Sequence, residues 1–223
     1  MSFNRSVMMK PALAAVAMLA LPLGGCVSVL PEPVVPKALI ALPAERAKAP
    51  AAPLQADVNV FPPDASRSFS GVDIAVRTEQ ELVYLADVRW ADAAPRLLQG
   101  AVLESLFAAG GDGRATSAQQ GARVDYDVRW RVVDLSVSKD TGPVRVMVDA
   151  SLVDAQTRRI VVQDRFSAEG TPSSGNPRDR AAALAIATQS VADQVAAFVA
   201  DAAVPKPEQP VAPMAPLSSS RPN

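Results

Sequence analysis

Histidine is absent from all 223 residues, and cysteine occurs once, at Cys26. With neither histidine nor a second thiol, the usual zinc ligand sets have no members to draw on. Ser-His-Asp triads and Cys-His nucleophiles are excluded on the same ground. No internal disulfide exists, so stability must come from a hydrophobic core. Net charge is nearly absent too, with 22 Lys+Arg against 23 Asp+Glu. No basic patch stands out, which argues against a nucleic acid partner. After residue 26, no apolar run approaches the ~20 residues of a membrane-spanning helix.

Proline is scarce where the chain folds. Of 20 prolines, eight fall between Pro31 and Pro63, six between Pro205 and Pro222, and only four in between. Segment 27–56 is rich in Pro and Ala and has no helical period, so it reads as an extended tether. Residues 205–223 read as a disordered proline-rich tail. One folded domain over 57–204 is left, long enough for a real core.

The N-terminus has a signal peptide's layout over residues 1–25. Arg5 and Lys10 precede an apolar stretch from Ala12 to Leu23, which is too short to span a bilayer. The run Leu23-Gly24-Gly25-Cys26 then resembles the lipobox of bacterial lipoproteins. That resemblance implies cleavage before Cys26 and acyl chains on it. A single chain anchors weakly, whereas two or more anchor stably.

Periods of two and 3.6 alternate through the domain. Val72, Ile74 and Val76 form one strand pattern, and Leu82, Tyr84, Ala86, Val88 and Trp90 a second. Asp92 is placed to cap a helix carrying Pro95 in its first turn and Leu98, Val102, Leu106 and Ala109 on one face. Gly110-Gly111-Asp112-Gly113 ends it, and lacks the Lys-Ser/Thr of a phosphate loop. Val124 to Val132 alternates with charged residues, and the phase slips at Val132-Val133, which predicts a bulge. Val144 to Leu152 and Arg159 to Phe166 read as a hairpin. Asn176 and Pro177 open a last helix with Leu184, Thr188, Val191, Val195, Phe198 and Ala202 on one face. The expected fold is an α+β two-layer sandwich, a mainly antiparallel sheet with two amphipathic helices on one face.

The acids sit mostly on the polar parity of strands, opposite arginines, so they read as a solvated face rather than as acid/base couples. No metal site, cofactor or catalytic group is expected, and the chain reads as a non-enzyme. Asp-Val-Arg-Trp occurs at both 87–90 and 127–130, each with a tyrosine upstream. Tyr84, Trp90, Tyr126 and Trp130 are all the Tyr and Trp present. They fit either core packing under the helices or a cleft for lipid or a partner segment. Both readings stand at this point.

Tyr84 to Gln99 resembles the ABC-type transport auxiliary lipoprotein family, the PqiC-like lipoproteins, in its Arg89-Trp90-Ala91-Asp92 motif and the Pro95 that follows. Asp125-Tyr126-Asp127-Val128, the hairpin from Val144 to Phe166 and the alanine-rich helix 181–200 continue the family's order, over about 70–200. The resemblance implies an auxiliary subunit of an MCE-type ABC lipid transport system, docking a periplasmic MCE-domain protein. It implies no nucleotide site in this chain, and a homo-oligomeric ring. Val27 stands where an aspartate would signal inner-membrane retention, which implies the periplasmic face of the outer membrane. A lipid-binding carrier, with a cavity lined by the four Tyr and Trp residues, and an envelope scaffold are the alternative functions.

Overall fold

The computed structural model describes residues 35–139 and 142–206. The signal peptide, Cys26 and the tail from residue 207 lie outside the described residues. The elements are β1 (Ala38–Ile40), β2 (Val58–Val60), β3 (Asp73–Arg77), β4 (Leu82–Trp90), α1 (Ala94–Ala109), β5 (Ala115–Ser117), β6 (Tyr126–Ser138), β7 (Val144–Asp154), β8 (Ile160–Gly170) and α2 (Pro177–Ala202).

Period-two patterning sets the spine of the sheet. In β7, Val144, Val146, Val148, Ala150 and Leu152 are all buried, while Arg145 faces away and is exposed. β7 pairs antiparallel with β6 on one side and β8 on the other. The expected bulge is present: the β6–β7 register shifts between Val132 and Asp134. It returns Leu135 and Val137 to the buried face that Val128, Trp130 and Val132 occupy.

The free edge of β6 is shared. β2 pairs in parallel with Tyr126–Val128, and β3 pairs in parallel with Ser136–Ser138. β4 lies antiparallel on β3, β1 parallel on β4, and β5 parallel on β2. The sheet is therefore mixed, with long antiparallel and short parallel pairings. α2 packs on β6, β7 and β8, and α1 packs on α2, β2 and β5. Their apolar stripes, Leu98, Val102 and Leu106 on α1 and Leu184, Val191 and Val195 on α2, meet the strands in one core.

Helix ends follow local chemistry. The Asn176 side chain accepts a 2.9 Å hydrogen bond from the Asp179 N–H, as an N-cap should, with Pro177 at the first helical position. α1 starts differently. Its N-cap is Ala93 rather than Asp92, and the Asp92 carboxylate accepts instead from the Ala93 N–H at 2.7 Å.

Two further expectations need correction. The tether does not run to residue 56: the compact unit begins at Pro36, β1 joins the sheet, and Leu54 and Ala56 are buried. The Gly110–Gly113 turn explains why. A Cβ on Gly111 would lie 2.1 Å from the Leu54 carbonyl oxygen, and one on Gly113 would lie 2.4 Å from that of Ala56. The glycines let backbone pack on backbone. At the other end, Lys206 is not in a loose tail, because its ammonium reaches Asp154 at 2.7 Å and the Asp125 carbonyl at 2.8 Å.

Candidate interaction surface

The sheet face away from the helices is built by the odd residues of β6 before the bulge and by the outward parity of β7 and β8. Register aligns Arg131 with Asp149 and Asp149 with Arg165, so three strands present an Arg-Asp-Arg row. Arg131 Nη2 donates to Asp149 at 2.8 Å, and Arg165 Nε donates to its other oxygen at 2.6 Å. Arg145 pairs with Glu169 two rows along, at 2.7 Å. Arg158 donates to the buried Asp127 at 2.7 Å. Arg129 lies over the Phe61 ring, 3.3 Å from its centroid. An open pocket of 590 Å³ on this face is lined by Asp64, Arg129, Arg131, Asp149 and Arg165 among others. Acids and arginines balance there, and their guanidinium groups remain largely in water. Pairs of this kind are individually weak. The solvated, cross-paired face expected from the sequence is the one observed.

Asp149 is the group most shifted by this lattice within the ordinary acid range. Arg165 foremost, and then Arg131, hold its carboxyl down from 3.8 to about 2, against partial burial that pushes it up. The folded state thus binds the proton more weakly than the unfolded chain. The pairing stabilises fully above about pH 4 and is lost as pH falls toward about 2. Asp149→Asn should flatten the dependence of stability on pH over that window and lower stability slightly near neutrality, where the wild-type pairing is fully present. Urea denaturation at stepped pH, with the Asp149 carboxyl followed by NMR, checks this. Asp154 is also lowered, chiefly by Lys206 and then by the Thr157 N–H, and Asp179 chiefly by the Ser174 hydroxyl.

The four Tyr and Trp residues do not share a cleft. Trp90, Tyr126 and Trp130 are buried on the helix side of the sheet, at 2%, 4% and 5% exposure. Tyr84 is 50% exposed on the opposite face. The cause lies in β4. Between the pairs Ala75–Tyr84 and Asp73–Arg89, two steps along β3 match five along β4. The odd difference flips the side-chain parity, and Asp87 takes φ 63° within the bulge. Tyr84 and Trp90 therefore do not lie on one face, as strict alternation had implied.

The buried three hold the fold together. Trp130 Nε1 donates to the Phe61 carbonyl at 2.6 Å, fixing the chain between β2 and β3 against β6. The Tyr126 hydroxyl donates to the Val204 carbonyl at 3.0 Å and fixes the end of α2. Burial raises the Tyr126 pKa above its ordinary value, opposed by Lys206 4.4 Å from the ring centroid.

Sequence reasoning missed Asp193. Its carboxylate accepts from the Ser105 hydroxyl at 2.7 Å, the Gln189 amide at 3.0 Å and the Lys48 N–H at 3.2 Å, tying α1, α2 and the 44–51 segment together. An acid beside the apolar stripe of α2 was its only signal.

The fold defines a two-layer α+β domain with a solvated, ion-paired sheet face. The chain belongs to the ABC-type transport auxiliary lipoprotein component family, whose model matches residues 39–196. The fold is similar to that of a Xanthomonas campestris protein, with a TM-score of 0.64, 22% identity, and coverage of 74% of this chain and 94% of that one. It is also similar to that of an uncharacterized protein, with a TM-score of 0.57, 13% identity, and coverage of 74% and 99%. At these identities the likeness is one of fold. No curated protein matches the sequence.

Proposed function

We propose that this chain is an outer-membrane lipoprotein, acylated at Cys26. In this reading it is the non-catalytic docking subunit of an MCE-type ABC lipid transport system. The observation that carries the reading is the family match over 39–196, which spans most of the folded unit, downstream of Leu23-Gly24-Gly25-Cys26. The subunit stands on the periplasmic face of the outer membrane, assembles into a homo-oligomeric ring and receives a periplasmic MCE-domain protein. Its own chemistry is recognition, and the ATPase is another subunit. The placement of the Tyr and Trp residues disfavours the carrier alternative, because three are packed in the core and the fourth points elsewhere.

Crosslinking in intact envelopes, followed by mass spectrometry of what the lipidated protein captures, tests the reading. Capture of an MCE-domain protein is the expected result. Capture of lipid alone, with no such protein, would overturn docking in favour of a carrier.

A further inference from the structure

Residues 36–53 join the domain at its margin, with Ala38, Ile40, Leu42 and Ala52 packed only half-buried against the core. No side chain between Pro36 and Pro53 is buried. Besides that half-buried packing and the Ala91 N–H donating to the Ile40 carbonyl at 2.8 Å, the contacts that hold the stretch are exposed. The Lys37 N–H donates to the Asp87 carbonyl at 2.8 Å, and the Lys37 ammonium pairs with the Asp87 carboxylate, also at 2.8 Å. These two side chains are 71% and 43% exposed. Arg178 Nη2 donates to the Lys37 carbonyl at 3.2 Å, β1 adds a three-residue pairing with β4, and Lys48 hangs from Asp193 by its N–H. β1 packs against α2, and past it the contact with α2 opens out. An open groove of 760 Å³ there is lined by Lys48 and Pro50 on one side and by Ile186, Ser190 and Ala197 on the other.

At Leu54 the attachment changes. Leu54 is 1% exposed and Ala56 3%. The Leu54 N–H donates to the Gly110 carbonyl at 2.9 Å, and the Gly113 N–H donates to the Leu54 carbonyl at 3.0 Å. β2 follows directly, fully buried, with β5 on one side and β6 on the other. The foot is firm and the strap above it is not.

We propose that residues 36–53 are a releasable strap that sets how far the domain stands from its lipid anchor. The height rests on the reading of Cys26 as acylated. Lys37 is 11 residues from Cys26, and Leu54 is 28. Fully extended at ~3.3 Å per residue, the strapped chain reaches at most about 36 Å and the released chain about 92 Å. Half-buried side chains, a three-residue edge pairing and a surface ion pair open at lower cost than the fully buried β2, so the strap peels while β2 stays in the sheet. A partner engaged beyond the strapped reach pulls on Lys37 first.

The test uses the full-length lipidated protein in phosphatidylethanolamine/phosphatidylglycerol vesicles. Amides of 37–53, Lys48 among them, should exchange with deuterium roughly tenfold or more faster than those of Leu54 and Val58. A disulfide between Leu39→Cys and Arg89→Cys, partners in the β1–β4 register, should slow exchange over 37–53. It should also remove the long distances from energy transfer between the domain and a dye in the bilayer, and reduction should restore both. Equal exchange rates for 37–53 and 54–60 would overturn the strap, since the two would then open as one unit. Cys26 found unmodified by mass spectrometry would overturn the height alone, while the exchange contrast reports the strap separately.

Discussion

Trp90→Ala should lower the stability of the domain by about 3–5 kcal/mol, the range for deleting a large buried aromatic side chain. Trp90 is 2% exposed, and its backbone N–H is spent on the Val72 carbonyl at 2.8 Å, so the site has little freedom to collapse. For a domain of this size each kcal/mol is worth about 2–4 °C, so the melting temperature should fall by about 6–20 °C. Tyr84→Ala is the matched control. It lies six residues away in the same strand, yet half exposed on the other face, and should change stability by no more than about 0.5 kcal/mol. Thermal unfolding followed by circular dichroism compares the two. Similar losses for both would mean that β4 keeps strict alternation and that the Asp87 bulge is not there.

That comparison also marks where the sequence was legible. β6, β7 and β8 were readable because each is long enough to show a period, and even the β6 bulge left a trace in two adjacent valines. α2 announced itself through Asn176-Pro177 and a stripe that holds its phase to Ala202. β4 misled because its bulge falls among Ala86, Asp87 and Val88, where no doubled apolar residue betrays the slip. β1, β2 and β5 span three residues each, too few for a period, and two of them lie within or beside proline-rich sequence. Their places come from tertiary pairing, which local pattern does not encode. The polar face was legible as a face. Which arginine meets which aspartate was not, because the Arg131-Asp149-Arg165 row exists only once the register of three strands is set.

Cys26→Ala should shift the protein from the membrane fraction to the soluble periplasmic fraction by roughly tenfold or more while leaving its melting temperature unchanged. The large effect follows from how attachment energy is distributed. Each buried CH₂ of an acyl chain is worth about 0.8 kcal/mol, so two or three chains hold firmly and none holds at all. The folded domain offers little to replace them. Among the described residues, the one helix long and apolar enough to cross a membrane is α2, and its apolar stripe is already packed in the core. Exposing that stripe to lipid would mean unfolding the domain. The charged sheet face is no substitute, since its arginines are matched by Asp127, Asp149 and Glu169 and leave little attraction for anionic headgroups. Fractionation with an intact-mass measurement on the wild type reads both halves of the expectation. Retention of Cys26→Ala in the membrane would place the anchor in a partner or in the N-terminal segment, and would remove the reason for reading residues 27–35 as a tether. Release with an unchanged melting temperature would leave the lipid as the sole attachment and the domain as a body that folds without it.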